Sequence, residues 1–492
     1  MSLTLLIIIP LLTAIGILFC KGSNQVRNVS LFGAVAQLGM SIFLLIAYWQ
    51  QRSSGNTAQM LFEYNYTWFQ ALKINYHVGV DGISIAMILL TAFVVLAGVL
   101  VSWTTEKLSK EFFFLLILLS VGAYGFFISL DLFTLFFFLE IAVIPKFLLI
   151  GVWGSGKKVY SAMKLALMLM GGSALVFVGL AGIFFNTGTF DILQISQMSI
   201  PLSVQKLFFP FAFIGFGVFT ALFPFHTWVP DGHSSAPTAA SMFLAGISMK
   251  LGGYGCLRVA TYLMPDAAHA YSWIIILLAT IAIIYGAFAT MMQKDLKYIN
   301  AYSSVSHCGF VLLGIGMLTK TAINGAVLQM VSHGLMTALF FAAIGMIYSR
   351  THTRLVAQLG GLLKVTPFIS TVFVIAGLCS LGLPGLSGFV AEMTVFMGAW
   401  QNPDAWYRFA TILACASIVV TAVYILRATG KTIFGPMSSA YDKLTDATWN
   451  EKLAASLLIS GIVLVGVAPF LILELIEPGT EIIMNKLLTI AD

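Results

Sequence analysis

Five ionisable side chains in this sequence stand in apolar surroundings where they could carry protons: Glu140, Lys250, His307, His333 and Glu392. A charge at the centre of a membrane helix costs about 2.5–3.5 kcal/mol on insertion scales, so it is usually kept for a partner, a water contact or a function. Glu140 lies in Phe133–Ile144, a run dominated by Phe, Leu, Ile and Val, nine residues beyond the polar Asp131. The lesser alternative is a carboxylate that only ties two helices together. Lys250 sits in Phe243–Gly253 between Met249 and Leu251, about four turns from His233–Ser235. A buried amine there can take up and release a proton as a neighbouring charge moves. Glu392 follows the breaker Leu383–Gly388 in the run Val390–Val395. His307 and His333 add imidazoles, which relay protons near neutral pH. Together they mix acid, base and imidazole, as a hopping path needs.

Other charged groups are less decisive. Lys164 opens an apolar run six residues past Lys158 and either snorkels or joins the path. His226 and His233 flank Trp228 and Asp231 near the end of a span, where capping and packing explain them as readily as gating.

The elements that position these groups are membrane helices. Of the 492 residues, 59% are hydrophobic and 9% charged, against about 25% charged in soluble proteins. Runs such as Phe112–Leu130 and Trp273–Met292 carry no charge, and about 20 such residues cross a bilayer. The expected fold is an all-α, polytopic membrane domain over residues 1–492. Its fourteen spans fall near 3–20, 29–49, 78–103, 112–130, 132–153, 160–185, 206–229, 235–263, 271–292, 299–319, 322–348, 365–398, 408–433 and 453–477. The first span has no basic leader or small-residue cleavage site and is expected to be retained. The polar stretches 50–76, 186–205 and 434–452 are too short for a soluble core. Tyr64, Tyr66, Trp68 and Phe69 give the first an interfacial character.

Two spans carry helix breakers, Phe223–His226 in the seventh and Leu383–Gly388 in the twelfth. Proline frees a carbonyl, which a membrane tolerates only where protein or water satisfies it. Broken helices in corresponding positions of two halves point to inverted-repeat transporters, and simple kinks are the other reading.

Orientation follows from lysine and arginine. Of the 25, fifteen fall on the side away from the termini, six on the side of the termini and four inside spans. Both termini are therefore expected outside the cytoplasm or its equivalent. This loop bias accounts for the net charge of +6 and leaves no role for nucleic acid. The five cysteines lie in apolar segments without a C-x-x-C pair, which argues against iron–sulfur ligation and against a disulfide framework. Gly215 and Gly217 lie within a span, with no strand before them, and belong to helix packing. No redox cofactor is expected in this chain.

The blocks Phe223–Thr238 and Leu244–Gly255 resemble the antiporter-like membrane subunits of respiratory complex I, the proton-translocating NADH-quinone oxidoreductase. So do Lys294–His307, Val80–Ser84 and Leu383–Phe389. Glutamate at position 392, where relatives usually carry lysine, and an end after the fourteenth span without a long lateral helix make it similar to the subunit M branch. The photosynthetic, plastoquinone-reducing complex has a similar subunit. The resemblance implies fourteen spans, two inverted five-helix repeats (about 112–263 and 271–433) and broken helices 7 and 12. It implies antiporter-like neighbours on both sides. It also implies a bacterial inner membrane, or less readily a thylakoid, with both termini on the periplasmic or lumenal side.

By the same resemblance Glu140 is a fifth-span glutamate that modulates a lysine, and Lys250 an eighth-span connecting lysine. His307 and His333 are central relays, and Glu392 is the terminal site. One departure stands out. The family writes a lysine and a proline before the Phe-Pro-His block, where this chain has Val218, Phe219, Thr220 and Ala221. Glu140 therefore lacks its expected partner, and Lys146 or Lys164 is the candidate replacement. Lys146 lies six residues past Glu140, about 9 Å along the helix and roughly 120° round it. Three functional readings remain open: a redox-complex subunit that translocates protons, a subunit of a cation/proton antiporter or membrane-bound hydrogenase, and a structural subunit with a dead path.

Overall fold

The computed structural model describes residues 2–437 and 439–488. Helices occupy all fourteen predicted stretches. In chain order they are α1 (Leu5–Phe19), α2 (Ser23–Ser53), α3 (Gly82–Val101), α4 (Ser109–Ile128), α5 (Leu132–Ile141), α6 (Val143–Trp153), α7 (Lys158–Thr187), α8 (Ile192–Gln197), α9 (Leu202–Thr220) and α10 (Trp228–Ser235). There follow α11 (Thr238–Phe243), α12 (Met249–Gly255), α13 (Pro265–Met291), α14 (Leu296–Gly316), α15 (Lys320–Thr351), α16 (Pro367–Ser380), α17 (Ser387–Trp400), α18 (Ala405–Thr429), α19 (Trp449–Val467) and α20 (Pro469–Leu488). Among the described residues ten helices are long and apolar enough to cross a membrane, and α1 and α16 are shorter apolar helices.

Burial separates inside from outside. The most apolar windows of α3 and α15 are 89% and 94% buried, whereas that of α19 is 28% buried. The outer helices turn large apolar side chains outward, with Phe19, Phe32 and Phe185 more than three-quarters exposed. A water-soluble surface does not tolerate so much contiguous apolar area, but acyl chains or membrane partners cover it.

Each interruption has a local cause. The fifth span parts at Ala142 between α5 and α6. Pro145 lacks the N–H that would reach the Ile141 carbonyl, which loosens the turn between Glu140 and Lys146. The seventh span stops at Thr220, where Ala221 takes a left-handed φ of 67°, and resumes as α10 after Pro224. The twelfth span opens between α16 and α17, where Gly382 and Gly385 have φ of 77° and 92°. These are conformations that side chains rarely adopt. The eighth span keeps its direction but contains two π-helical segments, Leu244–Ser248 and Cys256–Thr261, on either side of α12. A π turn takes carbonyls off the regular ladder and often marks a functional site.

The expectation of an all-α chain needs one correction. Leu61–Phe69 (β1) and Ile74–Val80 (β2) form an antiparallel hairpin across the aromatic, interfacial stretch before α3. A second correction concerns the fourteenth span, which ends at Val467 because Pro469 starts the separate helix α20. That helix runs along the face where α3, α13 and α15 begin. Thr480 donates to Asn324 at 2.5 Å, Lys320 pairs with Glu477 at 2.8 Å, and His269 meets the Leu487 carbonyl at 3.1 Å. The hairpin lies on the same face, where Tyr76 donates to Thr4. Both ends of the described chain therefore share one face.

Candidate functional site

Lys250 is 1% exposed in the short α12. Its Nζ donates to the Ala245 carbonyl at 2.6 Å, inside the preceding π segment, and meets His333 Nδ1 at 2.7 Å. The helix carrying His333 approaches this closely because glycine faces glycine. A side chain on Gly334 would come within 2.8 Å of the Gly246 carbonyl. His333 stacks on His307 with ring centroids 5.5 Å apart, and Cys308 Sγ lies 3.7 Å from His333 Nδ1.

His307 carries the line into the broken twelfth span. Its Nε2 bonds Ser380 Oγ at 3.0 Å at the end of α16. Its Nδ1 lies 3.3 Å from Glu392 Oε1 and 3.4 Å from Gln329 Nε2. An imidazole nitrogen either donates or accepts. It therefore serves the carboxylate in one protonation state and the amide in another. Glu392, 5% exposed, sits little more than one turn into α17. Four predicted groups from four different spans are thus joined in one buried file: Lys250, His333, His307 and Glu392.

The first half is assembled differently. Glu140 is only half-buried, on a face of its span where Phe137, Ile144 and Leu148 are all exposed. The side chain stands at the edge of this outward apolar strip, with its Oε1 still buried. Lys146 points inward and is fully buried, with Nζ 6.0 Å from the Phe219 ring. Glu140 Oε1 and Lys146 Nζ both lack a hydrogen-bond partner, and no ion pair joins them among the described residues. Lys164 is paired with Asp231 at 2.7 Å, on the far side of the break in the seventh span. Of the two candidate replacements, Lys146 is the one beside Phe219.

Several groups escaped the sequence reading. Arg258 forms a fully buried ion pair with Asp81, which also caps α3. His77 on the hairpin joins Asp191 at 2.9 Å. Lys297, counted among loop charges, is 4% exposed and donates to the Ala236 carbonyl at 2.6 Å. Helical spacing held the signal for Arg258, eight residues past Lys250 on the same span.

Three interrupted spans, a long central helix and a buried lysine–imidazole–carboxylate file define a polytopic membrane protein of antiporter-like build. The chain belongs to the NADH:quinone oxidoreductase/Mrp antiporter transmembrane family, whose model matches residues 129–419. It is 34% identical to NADH-quinone oxidoreductase subunit M of Rickettsia prowazekii, over 98% of this chain and 99% of that protein. It is 36% identical to NAD(P)H-quinone oxidoreductase chain 4-2 of Synechocystis sp., over 88% of this chain and 78% of the relative. The fold matches a chain of respiratory complex I from Thermus thermophilus with a TM-score of 0.90 at 24% identity, covering 99% of this chain and 100% of that one. It also matches a chain of the Mrp complex from Dietzia sp., with a TM-score of 0.86 at 18% identity and 99% of each chain covered.

Proposed function

We propose that this chain is the antiporter-like, proton-translocating subunit M of a quinone-reducing respiratory or photosynthetic complex. It moves protons along buried Glu, Lys and His residues while electrons move in other subunits. The observation that carries this reading is the file from Lys250 through His333 and His307 to Glu392, with polar links of 2.7 Å and 3.3 Å at its two ends and stacked imidazoles, centroids 5.5 Å apart, between them. Such a file accepts a charge at one end and returns it at the other without exposing it to lipid. Relatives named as NADH-quinone oxidoreductase subunit M or chain 4 support the assignment to a quinone-reducing complex.

In this reading the chain binds no redox cofactor and contributes translocation to the enzyme complex. Its partners are other membrane subunits on both sides and the surrounding lipid, and Glu140, unpartnered on an outward face, is a natural point of contact with one of them. The setting is the bacterial inner membrane, with the thylakoid as the less favoured alternative. The basic loops face the cytoplasm and both termini face the periplasm or lumen. Glu140, Lys146, Lys250, His307, His333 and Glu392 carry the protons or their charge, and Lys164 with Asp231 closes the basic face of the seventh span.

The experiment is proton pumping driven by quinone reduction in membrane vesicles containing the whole complex. Glu392→Gln should lower the number of protons moved per electron while the complex still assembles. Unchanged pumping would favour a structural subunit with a dead path. The likeness to an Mrp complex keeps a second reading in view, a multisubunit cation/proton antiporter. Purification of the intact assembly separates the two, because only a redox complex brings quinone-reducing subunits with it.

A further inference from the structure

A second polar line meets the central file from the basic face. Lys297, Asn300, Ser304 and His307 are spaced three, four and three residues apart on α14, so they share one face of the helix. That face packs on α15, where Thr337 lies one turn beyond His333. Asn300 Nδ2 lies 3.4 Å from Thr337 Oγ1, and Ser304 Oγ lies 3.3 Å from the same atom. Asn300, Ser304 and Thr337 are all fully buried.

Two polar atoms on this line are buried without partners, Asn300 Oδ1 and His333 Nε2. An unsatisfied buried polar atom costs about 1–3 kcal/mol, and two on one stripe need a common explanation. At the outer end Lys297 Nζ holds the Ala236 carbonyl at the gap between α10 and α11. There Arg354 pairs with Asp295 at 3.2 Å and donates to the Ser234 carbonyl at 2.8 Å.

We propose that the α14–α15 seam is the proton inlet of this subunit, leading from the basic face past Lys297 to His333, with Ser304 and Thr337 as its hydroxyl relays. The inference rests on the proposed proton-translocating function and adds a route of supply to it. Each relay takes one proton on its oxygen and passes its own onward. Ser304 Oγ hands a proton to Thr337 Oγ1, Thr337 hands one toward His333 Nε2, and neither hydroxyl changes its net charge. His333 and Thr337 stand one turn apart on α15, about 5.4 Å along the axis, and a water between their side chains would complete this last step. Asn300 orients Thr337 and carries no proton, and Lys297 guards the mouth by holding the Ala236 carbonyl.

The test uses whole complexes in vesicles, comparing quinone-driven proton pumping with subunit content. Thr337→Val keeps the shape and removes the relay, and should slow pumping about 10-fold or more in a fully assembled complex. Thr337→Ser restores the hydroxyl and should restore most of the rate, which a packing role alone would not predict. Lys250→Met is the control. Normal pumping by Thr337→Val, alongside a dead Lys250→Met, overturns the inlet and leaves the proposed function standing. Normal pumping by Lys250→Met overturns both. If Thr337→Val does not assemble, Ser304→Ala, read against the same control, decides the question.

Discussion

Lys250 Nζ and His333 Nδ1 lie 2.7 Å apart, and the bond between them holds one proton that either nitrogen can own. The Ala245 carbonyl accepts from the lysine whichever nitrogen owns it, so the amine stays in place while the charge moves. His333→Gln keeps a hydrogen-bonding group but cannot take a proton across. Quinone-driven pumping in vesicles should fall by about 100-fold or to background, with the complex still assembled. A His333→Gln complex that pumps at the wild-type rate would remove His333 from the path.

Lys146 should be the working cation of the first half. It is the lysine beside Phe219, and Lys164 is already held by Asp231. Lys146→Met should therefore depress pumping, whereas Lys164→Met should act mainly through the Asp231 contact and cost less. A sharper measurement is the exchange Lys146→Leu with Phe219→Lys, which puts the cation on the residue whose ring centre lies 6.0 Å from Lys146 Nζ. Recovery of pumping by the double variant over Lys146→Leu alone is expected. Normal pumping by Lys146→Met would exclude Lys146 from the role.

The Lys250-to-Glu392 half was legible because each group is an isolated ionisable residue in an apolar run, and a membrane makes such residues conspicuous. Glu140 was conspicuous too, but its direction was not. When every neighbour is apolar, no periodicity tells an inward face from one that meets lipid or a partner. Lys297 was hidden by its company, standing three residues from Lys294 at the edge of a basic loop. Its buried amine reaches the Ala236 carbonyl at 2.6 Å, a tertiary contact that charge counting does not register. The hairpin does carry a signal in the sequence. Phe62, Tyr64, Tyr66 and Trp68 alternate with Glu63, Asn65 and Thr67, which is the period of a strand. The same aromatics also fit a membrane interface, which masks the strand period.

Arg258 and Asp81 should show the energetics of a buried pair. Both are almost completely buried, and removing one partner leaves an uncompensated charge at a cost of about 3–5 kcal/mol. Asp81→Asn alone should lower the thermal stability of the purified complex or prevent assembly. Asp81→Asn with Arg258→Met should recover much of the loss, because no buried charge then remains. Failure of the double variant to recover would mean that Asp81 matters mainly as the cap of α3, where it accepts from the Ser84 N–H at 2.9 Å.

His77 and Asp191 fasten the hairpin to the loop before α8, and they should make this face sensitive to pH. Burial opposes the imidazolium of His77, but the bond and charge of Asp191, with Glu63 3.5 Å away, outweigh it and raise the His77 pKa above its ordinary value. Burial likewise opposes the carboxylate of Asp191, but His77 and two backbone N–H groups outweigh it and hold its pKa below the usual carboxylate range. A raised imidazole pKa stabilises the fold fully below the ordinary value near 6.5 and loses that contribution as pH rises through the raised one. A lowered carboxylate pKa contributes above its ordinary value near 3.9 and loses it as pH falls through the lowered one. The clasp is therefore strongest between the two ordinary values and weakens on the alkaline side first. Limited proteolysis of the hairpin, followed from pH 5.5 to 8.5 in detergent, should accelerate with pH in the native chain. In His77→Gln it should be faster at the acid end and nearly flat with pH, since the titrating group is gone. A native cleavage rate that does not change across this range would show that the hairpin is held by its strand pairing and not by the charge on His77.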